Sequence, residues 1–111
     1  MKDDKLYLIH ILECASKIEA CTRDGREAFM RGAILQDAVI RNCEVIGEAA
    51  KRVSAVLKSA HPEIPWRRMA GLRDVLIHNY SGVDLEEIWN IATRDLPQAK
   101  LEIAAILEQL G

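Results

Sequence analysis

The sequence predicts an all-α domain, a compact bundle of four to five helices, and three observations carry that expectation. Apolar residues recur at three- and four-residue intervals through most of the chain. No segment keeps the apolar/polar alternation, with β-branched and aromatic enrichment, that a half-buried strand requires. Helix-breaking residues gather in a few places, chiefly Thr22-Arg23-Asp24-Gly25 and Ala60-His61-Pro62-Glu63-Ile64-Pro65, and divide the chain into long periodic stretches.

The first helix should run from Lys2 to about Cys21, with Leu8, Ile11, Leu12, Ala15 and Ile18 on its inward face. A second should start near Arg26 and continue to about Ser59. Its stripe of Leu35, Val39, Cys43, Ile46, Ala50, Val53 and Leu57 is close to a heptad and suits the spine of a bundle. The two prolines at 62 and 65 forbid continuation. A third helix follows from Trp66 to about Tyr80, with Met69, Leu72, Val75 and Leu76 inward, and Ser81-Gly82 stops it. Asp84 caps a fourth helix carrying Leu85, Ile88 and Ile91 to near Arg94. A fifth carries Leu96, Ile103, Ile106, Leu107 and Leu110, and it tolerates Pro97 only in its first turn. Whether the last two form one kinked helix is open at this level.

At 111 residues the chain has room for one core, so residues 1–111 read as a single domain. Half of the residues are hydrophobic and 29% are charged, a globular balance that excludes intrinsic disorder. The formal net charge of −2 excludes a protein that coats nucleic acid by overall basicity, so any such contact must be local. Residues 81–111 hold Arg94 and Lys100 against six acidic residues, whereas residues 61–80 hold Arg67, Arg68 and Arg73 against Glu63 and Asp74. Basic character therefore gathers on the third helix. No apolar run reaches membrane-spanning length and no signal-peptide core follows Met1, so the expected compartment is the cytosol. Cys14, Cys21 and Cys43 form no C-x-x-C pair and read as reduced thiols of the core.

The third helix departs most from a plain core helix. In Gly71-Leu72-Arg73-Asp74-Val75-Leu76-Ile77-His78-Asn79-Tyr80-Ser81, polar and ionisable groups surround an apolar run. Asp74 and His78 are four apart and share a face, so Asp74 can orient the imidazole. Arg73 and His78 are five apart, about 140° around the helix and about 7.5 Å along it. A permanently charged guanidinium beside a histidine that titrates near neutrality is a workable pair for phosphodiester transfer without metal. Arg73 would hold and stabilise the phosphorane, and His78 would move the proton of a ribose 2′-hydroxyl or of the leaving oxygen. The spacing by itself is not specific, and taken bare it reads first as a capping histidine and a surface arginine.

Taken together, Arg73-x-x-x-x-His78-x-Tyr80 resembles the R-x4-H-x-Y signature of HEPN-domain proteins, and specifically of the HepT-like toxins. Pro65-Trp66, Gly71-Leu72, the stretch from Arg41-Asn42 through Ile46-Gly47-Glu48-Ala49, and Asp95-Leu96-Pro97 are similar to that family as well, so the resemblance covers nearly the whole chain. It implies a helical bundle that forms a homodimer and cuts RNA without metal or cofactor, with Arg73 and His78 catalytic. It also implies a nucleotidyltransferase antitoxin as partner, which transfers AMP from ATP to the motif tyrosine, Tyr80. Added bulk and negative charge beside His78 would block an RNA phosphate. Asp74 stands where related proteins often carry Asn, and Asn79 sits beside the histidine in a supporting position.

Four further groups are weighed against structural roles. Asn42 interrupts the spine helix beside inward Cys43 and is a candidate to hydrogen-bond the motif helix from within. Arg67 and Arg68 are candidates to extend phosphate contact. Gly47 reads as a close helix approach, and Trp66 and Trp89 as core anchors. His10 and His61 have no ligand-spaced partners, so no metal site is expected. A second reading of the whole is a non-catalytic HEPN-like module that binds a nucleotide or a partner protein. A third is a motif that only caps and packs its helix.

Overall fold

The computed structural model describes residues 2–78 and 84–111, excluding the side chains of residues 2, 73 and 75–78. Among the described residues there is no strand, and the all-α expectation holds. The helices are α1 (Lys2–Thr22), α2 (Arg26–Arg31), α3 (Ala33–Arg52), α4 (Ala55–Ala60), α5 (Trp66–His78), α6 (Leu85–Asn90) and α7 (Leu96–Leu110), with a π-helical segment at Ile91–Asp95. α3 is the spine, packed between α1 and α5, and α7 lies against α1.

The single helix expected from Arg26 to Ser59 is three helices, and each break has a local cause. At the first, Gly32 turns extended (φ −100°, ψ 94°) and donates its N–H to the Phe29 carbonyl, 3.2 Å away. Gln36 then reaches back with Nε2 to the carbonyls of Phe29 (2.9 Å) and Met30 (3.1 Å), satisfying acceptors at the end of α2. A Cβ at position 32 would stand 2.9 Å from the Ala28 carbonyl oxygen, so only glycine fits this turn without a shift. At the second break Val53 is extended, and the Ser54 hydroxyl caps α4 by accepting from the Leu57 N–H at 3.2 Å. The break is held from a distance by Asp4 of α1. This buried carboxylate accepts from the Ser54 backbone N–H (2.8 Å) and hydroxyl (2.6 Å).

The fourth and fifth helices expected from sequence are one rod. Ile91 and Leu96 both keep helical dihedrals, and the Leu96 N–H reaches five residues back to the Ile91 carbonyl. The wide turn sits directly before Pro97, which has no N–H to continue an α-helical ladder and whose ring crowds the carbonyl four residues back. Asp84 caps this rod as expected, its Oδ1 accepting from the N–H groups of Glu86 (3.0 Å) and Glu87 (3.3 Å).

The core joins Leu8, Ile11 and Ile18 of α1 to Val39, Cys43 and Ile46 of α3, and Ile103 and Ile106 of α7 close it. Phe29, not picked out by periodicity, is fully buried and meets Trp89 with ring centroids 5.5 Å apart. Cys14 and Cys43 are buried free thiols, and burial pushes the Cys43 thiol up to about 12. No described helix is long and apolar enough to cross a membrane.

Candidate functional site

The motif helix is placed by its first turn. Pro65 precedes α5 and accepts the Met69 N–H at 2.9 Å, and buried Trp66 donates its indole N–H to the His61 carbonyl at 2.9 Å. Those bonds tie the Ala60–Pro65 connection to the helix start and fix the roll of α5. Trp66, Met69 and Leu72 are buried, while Arg67, Arg68 and Asp74 are exposed.

That roll assigns every later position to a face. Four residues beyond Met69, position 73 lies about 40° from it, between Met69 and Trp66 on the inward arc. Position 78, the last of the helix, lies about 180° from Met69 and within about 40° of Asp74, on the outward arc. One helix therefore carries the two motif positions on different sides, about 140° apart. The side chains of Arg73 and His78, and the whole of Asn79 and Tyr80, lie outside the described residues.

Asp74 is exposed, and its Oδ2 is 3.9 Å from Lys51 Nζ of α3. Its carboxylate thus leans toward the spine helix, a partner that sequence spacing gave no sign of. Arg68 is engaged too: its guanidinium meets Asp95 Oδ2 at 2.8 Å. This pair spans a groove of about 380 Å³ between α5 and the π-helical rod, floored by Met69, Leu72, Ile91 and Leu96. Arg67 is exposed on the same arc as Asp74, seven residues earlier.

Asn42 takes a different place from the one expected. Its Nδ2 donates to the Ala38 carbonyl at 2.8 Å, within its own helix. On α3 it lies nine residues from Lys51, about 180° around. The side of α3 that reaches α5 through Lys51 is therefore opposite the side that carries Asn42. A carboxamide half-buried in a helix finds its acceptor one turn back more cheaply than across an interface.

A family model described as "Ribonuclease HepT-like" matches residues 11–106. The chain belongs to the HepT-like ribonuclease family. A protein of Thermococcus cleftensis named "Probable ribonuclease HepT" is 45% identical over 100 residues, 89% of this chain and 91% of that protein. A protein of Methanocaldococcus jannaschii, named for a gamma-glutamylcyclotransferase and provisionally for an RNase, is 46% identical over 110 residues. That match takes in 98% of this chain but 50% of the relative, so the chain spans half the length of that protein. A provisionally named RNase of Caldanaerobacter subterraneus subsp. tengcongensis is 36% identical over 110 residues, 98% of each chain. No solved structure gives a match. Family and relatives together support ribonuclease activity for this HepT-like chain, with RNA as substrate.

Proposed function

We propose that this HepT-like chain is a metal-independent endoribonuclease toxin, active as a homodimer. In this reading a nucleotidyltransferase antitoxin silences it by adding AMP to Tyr80. The observation that supports the reading is that the Arg73-x4-His78 spacing runs along α5 to its last residue, in a chain of a ribonuclease family.

The chemistry is in-line transfer within RNA. His78 takes the proton of a ribose 2′-hydroxyl and the 2′-oxygen attacks the adjacent phosphorus. The bond to the 5′-oxygen breaks, leaving a 2′,3′-cyclic phosphate on one product and, once a proton is supplied to the leaving oxygen, a 5′-hydroxyl on the other. Arg73 balances the extra charge on the phosphorane. Positions 73 and 78 diverge by about 140° on one helix, which supports a cleft completed by a second copy of the motif. Asp74 stands one helical turn before the histidine and Asn79 next to it in sequence; Arg67 offers an exposed cation on the arc of Asp74, and Arg68 offers one already balanced by Asp95.

The test is incubation of the purified protein and its His78→Ala variant with total cellular RNA in excess chelator, with product ends determined. Cleavage by the unaltered chain alone, leaving cyclic phosphate ends, is the expected result. An unmodified, folded and inactive chain, with intact mass showing no AMP on Tyr80, overturns it in favour of a HEPN-like binding module.

A further inference from the structure

We infer that the groove between α5 and the π-helical rod is a pocket for one guanine base of the RNA strand, read by Arg68 and Asp95. The inference rests on RNA as the substrate and adds a choice of base to it.

The π-helical segment Ile91–Asp95 forms one wall of this groove, and such wide turns recur at functional sites. Asp95 leads into α7 without capping it. Its half-buried carboxylate turns to α5 instead, where Oδ2 meets the exposed Arg68 guanidinium at 2.8 Å. The second oxygen, Oδ1, has no partner among the described residues. The other carboxylates of the rim are occupied: Glu102 accepts from Gln98 Nε2 at 3.2 Å, and Glu63 lies 3.4 Å from His61 Nδ1. Asp95 is therefore the acceptor left open to a ligand.

Arg68 and Asp95 together present a row of one donor and two acceptors: a guanidinium N–H, then Oδ2 and Oδ1. A carboxylate oxygen has two lone pairs, so Oδ2 can accept from a ligand while it accepts from Arg68. The pairing edge of guanine is the complementary row, with O6 accepting and N1–H and the 2-amino group donating. Adenine sets its 6-amino donor against the guanidinium and its N1 lone pair against the carboxylate. Uracil and cytosine each set a carbonyl oxygen against it. Those mismatches leave desolvated polar groups unpaired, the costly outcome in a pocket.

The rest of the groove suits the same ligand. Met69, Leu72, Ile91 and Leu96 are buried and apolar and floor the space for the face of the base, and the Met69 thioether favours an aromatic ring. A volume of about 380 Å³ is at the small end of ligand pockets, room for one base with its sugar. Arg94 stands exposed at the mouth with no ion-pair partner among the described residues, a cation for the adjoining phosphate. Position 78 is six residues beyond Leu72, about 9 Å along α5 and about 120° around it. The guanine is thus read apart from the bond to be cut, and the groove governs where along a strand cutting happens.

The test titrates the purified chain with short 2′-O-methyl RNA strands, which lack the attacking hydroxyl and stay intact, alike except for one base. Guanine there is expected to bind about tenfold or more tighter than adenine, with inosine, which lacks the 2-amino group, between them. Asp95→Asn puts an amide donor into the row and is expected to abolish this order with an unchanged helical spectrum. Arg68→Ala removes the donor facing O6 and is expected to narrow the gap between guanine and adenine. Strands bound alike by the unaltered chain, or an order that survives in Asp95→Asn, overturn the pocket and leave RNA as the substrate. A chain that binds no strand overturns both. Free GMP bound by such a chain and lost in Asp95→Asn overturns the RNA source and assigns the groove to a free nucleotide.

Discussion

Asp4, in the first turn of α1, holds the N-terminus of α4 fifty residues away: one carboxylate oxygen accepts the Ser54 backbone N–H at 2.8 Å and the other its hydroxyl at 2.6 Å. The carboxylate is buried, so both bonds work in a medium poor in water. Asp4→Ala removes two charge-assisted bonds and leaves the Ser54 N–H without its acceptor. The expected loss is about 2–3 kcal/mol of folding free energy, read from urea unfolding. A loss below about 0.5 kcal/mol would show that water replaces the carboxylate.

Gly32 is expected to resist even the smallest side chain. The added methyl of Gly32→Ala would meet the Ala28 carbonyl oxygen at 2.9 Å, a backbone atom that moves only with α2. The expected cost is about 1–3 kcal/mol, comparable to overpacking a core. Thermal unfolding checks it, with an unshifted midpoint counting against the close approach.

The Cys43 thiol makes stability depend on alkaline pH. Burial raises it from 9.0 to about 12, so the folded chain keeps its proton where the unfolded chain loses it. The contribution is fully present below pH 9 and falls away as pH rises toward 12. Between pH 8 and 10.5, Cys43→Ala is expected to lose less stability than the unaltered chain, measured by denaturant midpoints. Half-buried Cys21 is expected to react with a maleimide before buried Cys14 and Cys43 do.

Arg67 and Arg68 are neighbours with different expected effects on RNA. Arg68 is balanced by Asp95 at 2.8 Å, and Arg67 stands exposed on the outward arc of the motif helix. Arg67→Ala is expected to reduce the slope of log affinity against log salt by about 0.7, one phosphate contact on a single strand. Arg68→Ala is expected to change it by less than half as much. Binding titrations at four or more salt concentrations compare them, and equal slopes would show that Asp95 releases Arg68 to the strand.

The candidate site was legible in part. The motif and its place on the third helix follow from the residue types and spacing of 65–80, and the family resemblance from those together with Arg41–Ala49 and Asp95-Leu96-Pro97. The neighbours were not legible. Lys51 reaches Asp74 only because α3 and α5 pack together, and Asp95 meets Arg68 only because the π-helical turn lies across the groove. Asn42 misled because adjacency to Cys43 says that a residue is near the core but not which helix it faces. About 180° of α3 separates it from Lys51.

The sequence by itself determined the helical class, the break at the paired prolines, the Asp84 cap and the motif. Each depends on residues within a turn or two of one another, and local periodicity and capping chemistry act at that range. Only the tertiary structure decided where the long spine divides, which way α5 is rolled and that the last two helices are one rod. Those outcomes rest on Asp4 meeting Ser54, on Trp66 donating to His61 from a buried position, and on a wide turn absorbing Pro97. A helix stripe fixes which residues face inward; the partner they meet there depends on contacts between segments far apart in the chain.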